Sequence, residues 1–346
     1  MRDPSLAHNP RFALQAWLTG ILPGTMLAVM VACSASYVAG RLGGPVMLYA
    51  LLFGMVFNFL AADRVCAPGI AFSAKTILRI GVALLGVRIT ISDVADLGLP
   101  TVALVVAGVA FTILGGAAIG RLFNLKADHA VLSAGAVAIC GASAALAISS
   151  VLPQHRDSER NLCLTVVAVT TLSTIAMVLY PAIAQGLGLS DTAAGIFIGV
   201  TIHDVAQVVG AGYMISDTAG ETAAITKLMR VACLVPAVVL IGFAFRKQCA
   251  ATGASDKRPS LLPLFLVGFI ALMVVNSFGI LPAMVTQSLS EASRWCLLIA
   301  VSALGVKTSM KEFIAVGPNP IAVLVAQTLA LAVFGLIGVI VISQAF

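Results

Sequence analysis

One short stretch of this chain places an imidazole, a carboxylate and an amide inside an otherwise apolar run: Gly199-Val200-Thr201-Ile202-His203-Asp204-Val205-Ala206-Gln207. On a helix, Asp204 and Gln207 share a face with Val200, and His203 shares one with Gly199 and Gln207. Histidine titrates near neutrality, so a His-Asp pair here can take up a proton or contact a substrate. The same pair can equally serve as a structural polar link between helices. A second stretch, Ala138-Ile139-Cys140-Gly141-Ala142-Ser143-Ala144-Ala145, is built of small residues around a central glycine. Such a run allows either close helix packing or a break in the helix. A break exposes free N–H groups at the start of the second half, where the positive dipole end binds anions, and Ser143 could add a hydroxyl donor. Five cations complete the candidate set. Lys227 and Arg230 open an apolar segment, Arg79 lies inside another, and Arg88 and Lys307 stand near segment ends. A cation in apolar surroundings offsets a substrate's negative charge, and Arg does so with a planar fork; near a span end it can instead snorkel to headgroups.

The elements that position these groups follow from composition. Of the 346 residues, 60% are hydrophobic and only 10% charged, with a mean hydropathy of +1.08. A soluble domain carries about 25% charged residues, so the excess apolar surface here must face lipid. The apolar stretches are continuous rather than alternating, which excludes a transmembrane β-barrel and leaves helices, whose backbone groups pair internally. The net charge of +6 is spread over short loops and does not indicate a nucleic-acid partner. The seven cysteines are scattered and apolar-flanked, so neither a disulfide framework nor a metal site is expected. No Walker A loop is present, and no cofactor is expected.

Counting about 20 apolar residues between charged or Pro/Gly punctuation predicts roughly eleven segments, near 13–38, 45–62, 74–91, 99–122, 130–152, 162–186, 192–213, 223–245, 261–281, 293–309 and 319–343. If every segment spans, twelve Lys and Arg fall on the N-terminal side and seven, including Arg156, Arg160, Lys227 and Arg230, on the other. That asymmetry favours a cytoplasmic N-terminus. Internal echoes predict an inverted repeat. Leu52-Phe53-Gly54-Met55-Val56 resembles Phe197-Ile198-Gly199-Val200-Thr201, and Ser143-Ala144-Ala145-Leu146 resembles Ser302-Ala303-Leu304, in each case five segments apart. This register divides a single polytopic membrane domain into an extra N-terminal helix (1–44), a first repeat (45–186) and a second (187–346). It makes Ala300 to Gly305, around Ser302, the symmetric partner of segment five. A competing register pairs Leu85-Gly86-Val87-Arg88 with Leu304-Gly305-Val306-Lys307, seven segments later.

The stretches Arg79-Ile80-Gly81-Val82-Ala83-Leu84-Leu85-Gly86, Ala138 to Ala144, Gly199 to Val208 and Ile225-Thr226-Lys227-Leu228-Met229-Arg230 resemble the signatures of the YeiH-type sulfate exporter family. The likeness runs in order over nearly the whole chain. It implies a bacterial inner-membrane protein. More distantly the chain is similar to the bile acid–sodium symporter superfamily, whose folds pair two inverted five-helix repeats with crossing, interrupted helices. By that analogy the crossing elements are segments five and ten.

The expected function is therefore a secondary transporter of a small anion, sulfate or an organic sulfonate, working by alternating access. Cys140, Gly141, Ala142, Ser143, Thr201, Gln207, Lys227, Arg230 and Ser302 are the expected substrate-binding residues. His203, Asp204, Arg79, Arg88 and Lys307 are the expected coupling and gating residues. The partners implied are the anion, a coupling ion (H+ or Na+) and membrane lipid, and a homodimer stays open. Rival readings are a cation-coupled symporter or antiporter with Asp204 as the ion carboxylate, a channel, and an intramembrane enzyme using His203 and Asp204. The enzyme lacks a metal-ligand set or a Ser/His pairing of recognisable spacing.

Overall fold

The structure is a computed structural model that describes residues 10–252, 264–308 and 318–345. The described residues are helical, without a strand. In chain order the helices are α1 (Pro10–Leu42), α2 (Val46–Val56), α3 (Ala67–Phe72), α4 (Leu78–Leu85), α5 (Ile91–Asp96), α6 (Gly98–Leu122), α7 (Ala127–Ala138), α8 (Ala142–Ser149) and α9 (Ser158–Gly186). They continue with α10 (Asp191–Thr201), α11 (Val205–Tyr213), α12 (Asp217–Ala232), α13 (Leu234–Thr252), α14 (Leu264–Ser277), α15 (Ala283–Lys307) and α16 (Pro318–Ala345). Seven described helices are long and apolar enough to cross a bilayer: Thr19–Leu42, Ala67–Arg88, Gly98–Leu122, Ser158–Gly186, Asp217–Gln248, Ala283–Lys307 and Asn319–Ser343.

The other four of the eleven predicted segments hold only shorter helices among the described residues: α2 and α14 stand for segments two and nine, and segments five and seven fold back within the bundle. Segment five folds as an antiparallel pair, α7 running inward and α8 returning. Asp128 at the start of α7 and Ser149 at the end of α8 line one small cavity, and Asp128 pairs with His155 just beyond α8 at 3.7 Å. Segment seven does the same from the opposite end. Gly195 near the start of α10 and Gly212 near the end of α11 both lie against Ala219 of α12, while Gly199 lies deeper, against Thr226. The reason is length. At about 1.5 Å per residue, an arm of eight to twelve residues reaches roughly 12–18 Å, about half of a 30 Å hydrocarbon layer. The correction has two consequences for charge. Arg156 and Arg160 fall at the same end of the bundle as Arg121 and Lys126, and Lys227 and Arg230 are not loop residues but lie inside, 0% and 1% exposed. Segment ten, in turn, is not interrupted. α15 is continuous from Ala283 to Lys307 and the Ser302 hydroxyl donates to Leu298 O, an ordinary bond one turn back.

The helices pack as two groups. α1, α2, α3–α4, α14 and α15 form a panel, and α6 to α12 with α16 form a core. Within the core α6 and α16 run antiparallel, with Gly116 against Gln327, Gly108 against Phe334 and Leu104 against Gly338. Small residues let these backbones approach closely, the usual means of helix association where lipid removes the hydrophobic drive. His129, next to Asp128 in the first turn of α7, is 7% exposed.

The paired-arm geometry predicts the side on which short loops are found. In membrane vesicles of a cysteine-free background, Lys126→Cys and Gln154→Cys should both react with an impermeant maleimide from one face, and Leu187→Cys and Ile215→Cys from the other. Labelling of Lys126→Cys and Gln154→Cys from opposite faces would restore a crossing segment five.

Candidate functional site

The two inward-pointing arms meet tip to tip. At the first tip α7 ends at Ala138, and Gly141 turns the chain with φ +61° and ψ −122° before α8 begins. A positive φ of this kind suits glycine, because an L side chain there collides with its own backbone. At the second tip α10 ends at Thr201, Ile202 and Asp204 are extended (ψ 140° and 144°), and α11 begins at Val205. The Asp204 amide donates to Ser173 Oγ of α9 at 3.1 Å. The tips are in contact, since a Cβ placed on Gly141 would stand 3.9 Å from the His203 Cβ.

Each tip leaves backbone carbonyls without helical partners, and α12 supplies the donors. Lys227 Nζ donates to Ile139 O (2.6 Å) and Ile202 O (2.9 Å), one carbonyl from each tip. Arg230 Nε donates to Ala138 O, Nη1 to Gly199 O and Ile202 O, and Nη2 to Val137 O and Ala138 O, over 2.6–3.1 Å. A guanidinium has five N–H donors, so Arg230 has none left for a substrate. Its expected role in binding an anion directly does not fit this geometry; it joins the tips instead.

His203 is also enclosed, at 0% exposure. Its Nδ1 lies 3.2 Å from Val137 O and its Nε2 2.9 Å from Thr328 Oγ1 of α16. A carbonyl only accepts, so Nδ1 carries a hydrogen. The ring thus links both tips to α16. Gln207 Nε2 donates to Thr174 Oγ1 at 3.3 Å, and its Oε1 has no partner among the described residues. Thr201 Oγ1 donates to Phe197 O within its own helix.

Four of the predicted residues share a single cavity. Between the tips and the panel lies a space of about 670 Å3 lined by Cys140, Ser143 and Asp204 on the core side and by Thr76 and Arg79 on the panel side, with Leu146, Leu264 and Phe265 among its apolar wall. Gly141 and Ala142 lie between two lining residues. Arg79 makes no hydrogen bond or ion pair among the described residues. The remaining predicted residues are elsewhere. Ser302 and Thr201 are buried in helix packing, and Lys307 is exposed at the end of α15. Arg88 stands at the other end of the bundle from the start of α3, where it pairs with Glu221 (2.7 Å) and Asp217 (3.8 Å) and lies 5.9 Å from the Tyr213 ring centre. Sequence reasoning missed Thr76, Ser173, Thr174, Thr328 and Glu221. The polar run Thr170-Thr171-Leu172-Ser173-Thr174 inside an apolar segment was a signal available for two of them.

The fold and site define a polytopic membrane protein with two opposed, half-length helical hairpins that meet beside a largely apolar cavity bearing a few polar groups. Comparison with known proteins gives the family. The family described as Conserved hypothetical protein 698 matches residues 20–324. The chain is 50% identical to the UPF0324 membrane protein TauZ of Paracoccus denitrificans over 322 residues, covering 93% of this chain and 95% of that one. It is 47% identical to the UPF0324 membrane protein CT0845 of Chlorobaculum tepidum over 322 residues, 93% and 90% of the two chains. The chain belongs to the UPF0324 membrane protein family, the YeiH-type family its motifs resemble. No solved structure matches it.

Removing the donor that joins the tips should be costly. Arg230→Ala leaves carbonyls of both tips short of partners, at roughly 1–3 kcal/mol for each group left unsatisfied. The expected result is a melting midpoint lowered by many degrees, or loss of folded protein in detergent, with partial rescue by Arg230→Lys. A parent-like melt of Arg230→Ala would contradict the assignment.

Proposed function

We propose that the chain is a secondary transporter of a small anion, of the sulfate or organic sulfonate kind, working by alternating access in the bacterial inner membrane. The observation that carries this reading is the guanidinium of Arg79, without a partner among the described residues, in a cavity whose opposite wall is formed where α8 and α11 begin. Helix starts carry positive dipole ends; the start of α11 already faces the Asp204 carboxylate, so the guanidinium and the start of α8 complement one anion from two sides. The Ser143 and Thr76 hydroxyls add donors, and the apolar wall suits the hydrocarbon part of a sulfonate. Asp204 stands in the same cavity. Like charges repel there, so a proton on Asp204 would favour the anion and the anion would favour the proton, a reciprocal coupling.

Two further observations support alternating access. The cavity lies toward the end of the bundle where α14 begins, while at the opposite end Arg88 of the panel pairs with Glu221 of the core. A partly exposed pair of this kind contributes about 1 kcal/mol, strong enough to bias a gate and weak enough to open. The packing also supports an inverted repeat in the second register. In each half two panel segments lead into the long core helix, α2 and α3–α4 before α6, and α14 and α15 before α16. Each core helix lies against one hairpin, α6 against α7 and α16 against α10. The hairpin of the second half then comes first in the chain rather than fourth, a permuted order. A cytoplasmic N-terminus fits the cations. Arg64, Arg121, Lys126, Arg156, Arg160, Arg246 and Lys247 stand at the end where α1 begins, against Arg41, Arg88 and Arg294 at the other.

Arg79→Ala should weaken sulfate or sulfonate binding about 10- to 100-fold, the worth of a charged hydrogen bond, while leaving the melting midpoint of the unliganded protein unchanged. If no anion stabilises the parent, or Arg79→Ala binds as well as the parent, the anion reading is lost. Removing the opposite-end pair with Glu221→Gln should shift the conformational balance about fivefold. Faster labelling of Met214→Cys from that end would report it.

A further inference from the structure

Lys227 and Arg230 are one turn apart on α12 and wholly buried, yet neither is paired with a carboxylate among the described residues. Two like charges in hydrocarbon need strong compensation. Every direct hydrogen bond they make goes to backbone carbonyls at or just beyond the inner ends of α7 and α10, and the Asp204 carboxylate of the second tip adds a longer-range attraction for Lys227. A helix C-terminus carries about half a negative charge, so two such ends meeting at one point form an electronegative pocket. In interrupted membrane helices, carbonyls of this kind are the ligands of coupling sodium ions.

In this chain the lone pairs are taken. Ile202 O accepts from both Lys227 and Arg230. Ala138 O accepts twice from Arg230, and Val137 O accepts from Arg230 and His203. A carbonyl oxygen has two lone pairs, so each of these three is saturated by donors that belong to the chain itself. Ile139 O and Gly199 O each accept one of the same cations.

We propose that Lys227 and Arg230 are covalently tethered substitutes for a coupling metal cation, so that the protein folds and works without sodium. The proposal rests on the carrier reading for its meaning, but its site and its melting test do not involve the anion. Sodium would have to displace an ammonium or a guanidinium from donors already in place. What stays free to couple is the proton, with Asp204 the carboxylate that borders the cavity.

The experiment is a set of melting curves of the purified full-length protein in detergent, at fixed pH and ionic strength, with sodium, lithium, potassium or choline chloride. The parent should melt at the same midpoint in all four. Lys227→Ala exposes Ile139 O and one lone pair of Ile202 O in the same electronegative pocket. It should melt lower than the parent and regain several degrees, saturably, with sodium or lithium but not with choline. A saturable rise of the parent's midpoint with sodium would overturn the proposal, as would a Lys227→Ala protein no more responsive to sodium than the parent. If Lys227→Ala does not fold, the parent series still decides, and so does counterflow of labelled anion in sodium-free liposomes. Unchanged rates support tethered cations, and a saturable sodium requirement refutes them. A protein that moves no anion at all would sink the transport reading while leaving the melting curves to judge this one.

Discussion

Hydrocarbon offers no hydrogen bonds, and the structure is organised around satisfying the backbone groups that two broken helices release into it. α7 and α10 both stop near the middle of the bundle, and each leaves carbonyls without a helical donor. α12 passes beside both ends and delivers an ammonium and a guanidinium, so the carbonyls are satisfied and the charges neutralised together. Neither half is tolerable alone, because a buried unpaired cation and a buried unpaired carbonyl are each costly. The hairpin tips are therefore one unit, held from below by α12 and from the side by His203 and Thr328.

That lock frees the other face of the tips. With the carbonyl ends occupied, the start of α8 borders the cavity at Cys140 and Ser143, and the start of α11 borders it at Asp204 and Val205. Break polarity thus sorts charge. The C-terminal ends of α7 and α10 turn toward fixed cations, and the N-terminal ends of α8 and α11 turn toward solvent-accessible space. The facing wall belongs to the panel, which contributes Arg79 and otherwise mostly apolar groups. A cavity divided between two bodies, with an ion pair between the same bodies at the far end, is a geometry in which relative movement changes access.

Several parts of this arrangement were legible in the residues. The run around Gly141 offered a break as one of two readings, and the run with His203 and Asp204 marked buried polar groups but not the second break, which was expected in segment ten instead. Of the roughly eleven expected segments, seven hold described helices long and apolar enough to cross a bilayer. What misled was the assumption that every apolar run of adequate length crosses the membrane. Length within a run does not reveal that its two halves fold back on each other, since an arm and its return have the same composition as one straight helix. The preferred repeat register failed at Ser302 for a related reason. Small residues there serve the close approach of α15 to Gly54 of α2, and packing and breaking use the same residue types.

By itself, the sequence determined that this protein lives in lipid, that its framework is helical, and which few polar residues had to be sheltered from hydrocarbon. Those conclusions follow from composition and from the cost of burying polar atoms, which need no knowledge of neighbours. Only the tertiary structure decided what each polar residue faces. Arg79 and Arg230 are the same residue type, in apolar segments of similar character, yet one lies open in a cavity and the other has every donor engaged. The difference is made by segments far away in the chain, whose carbonyls α12 meets and α4 does not.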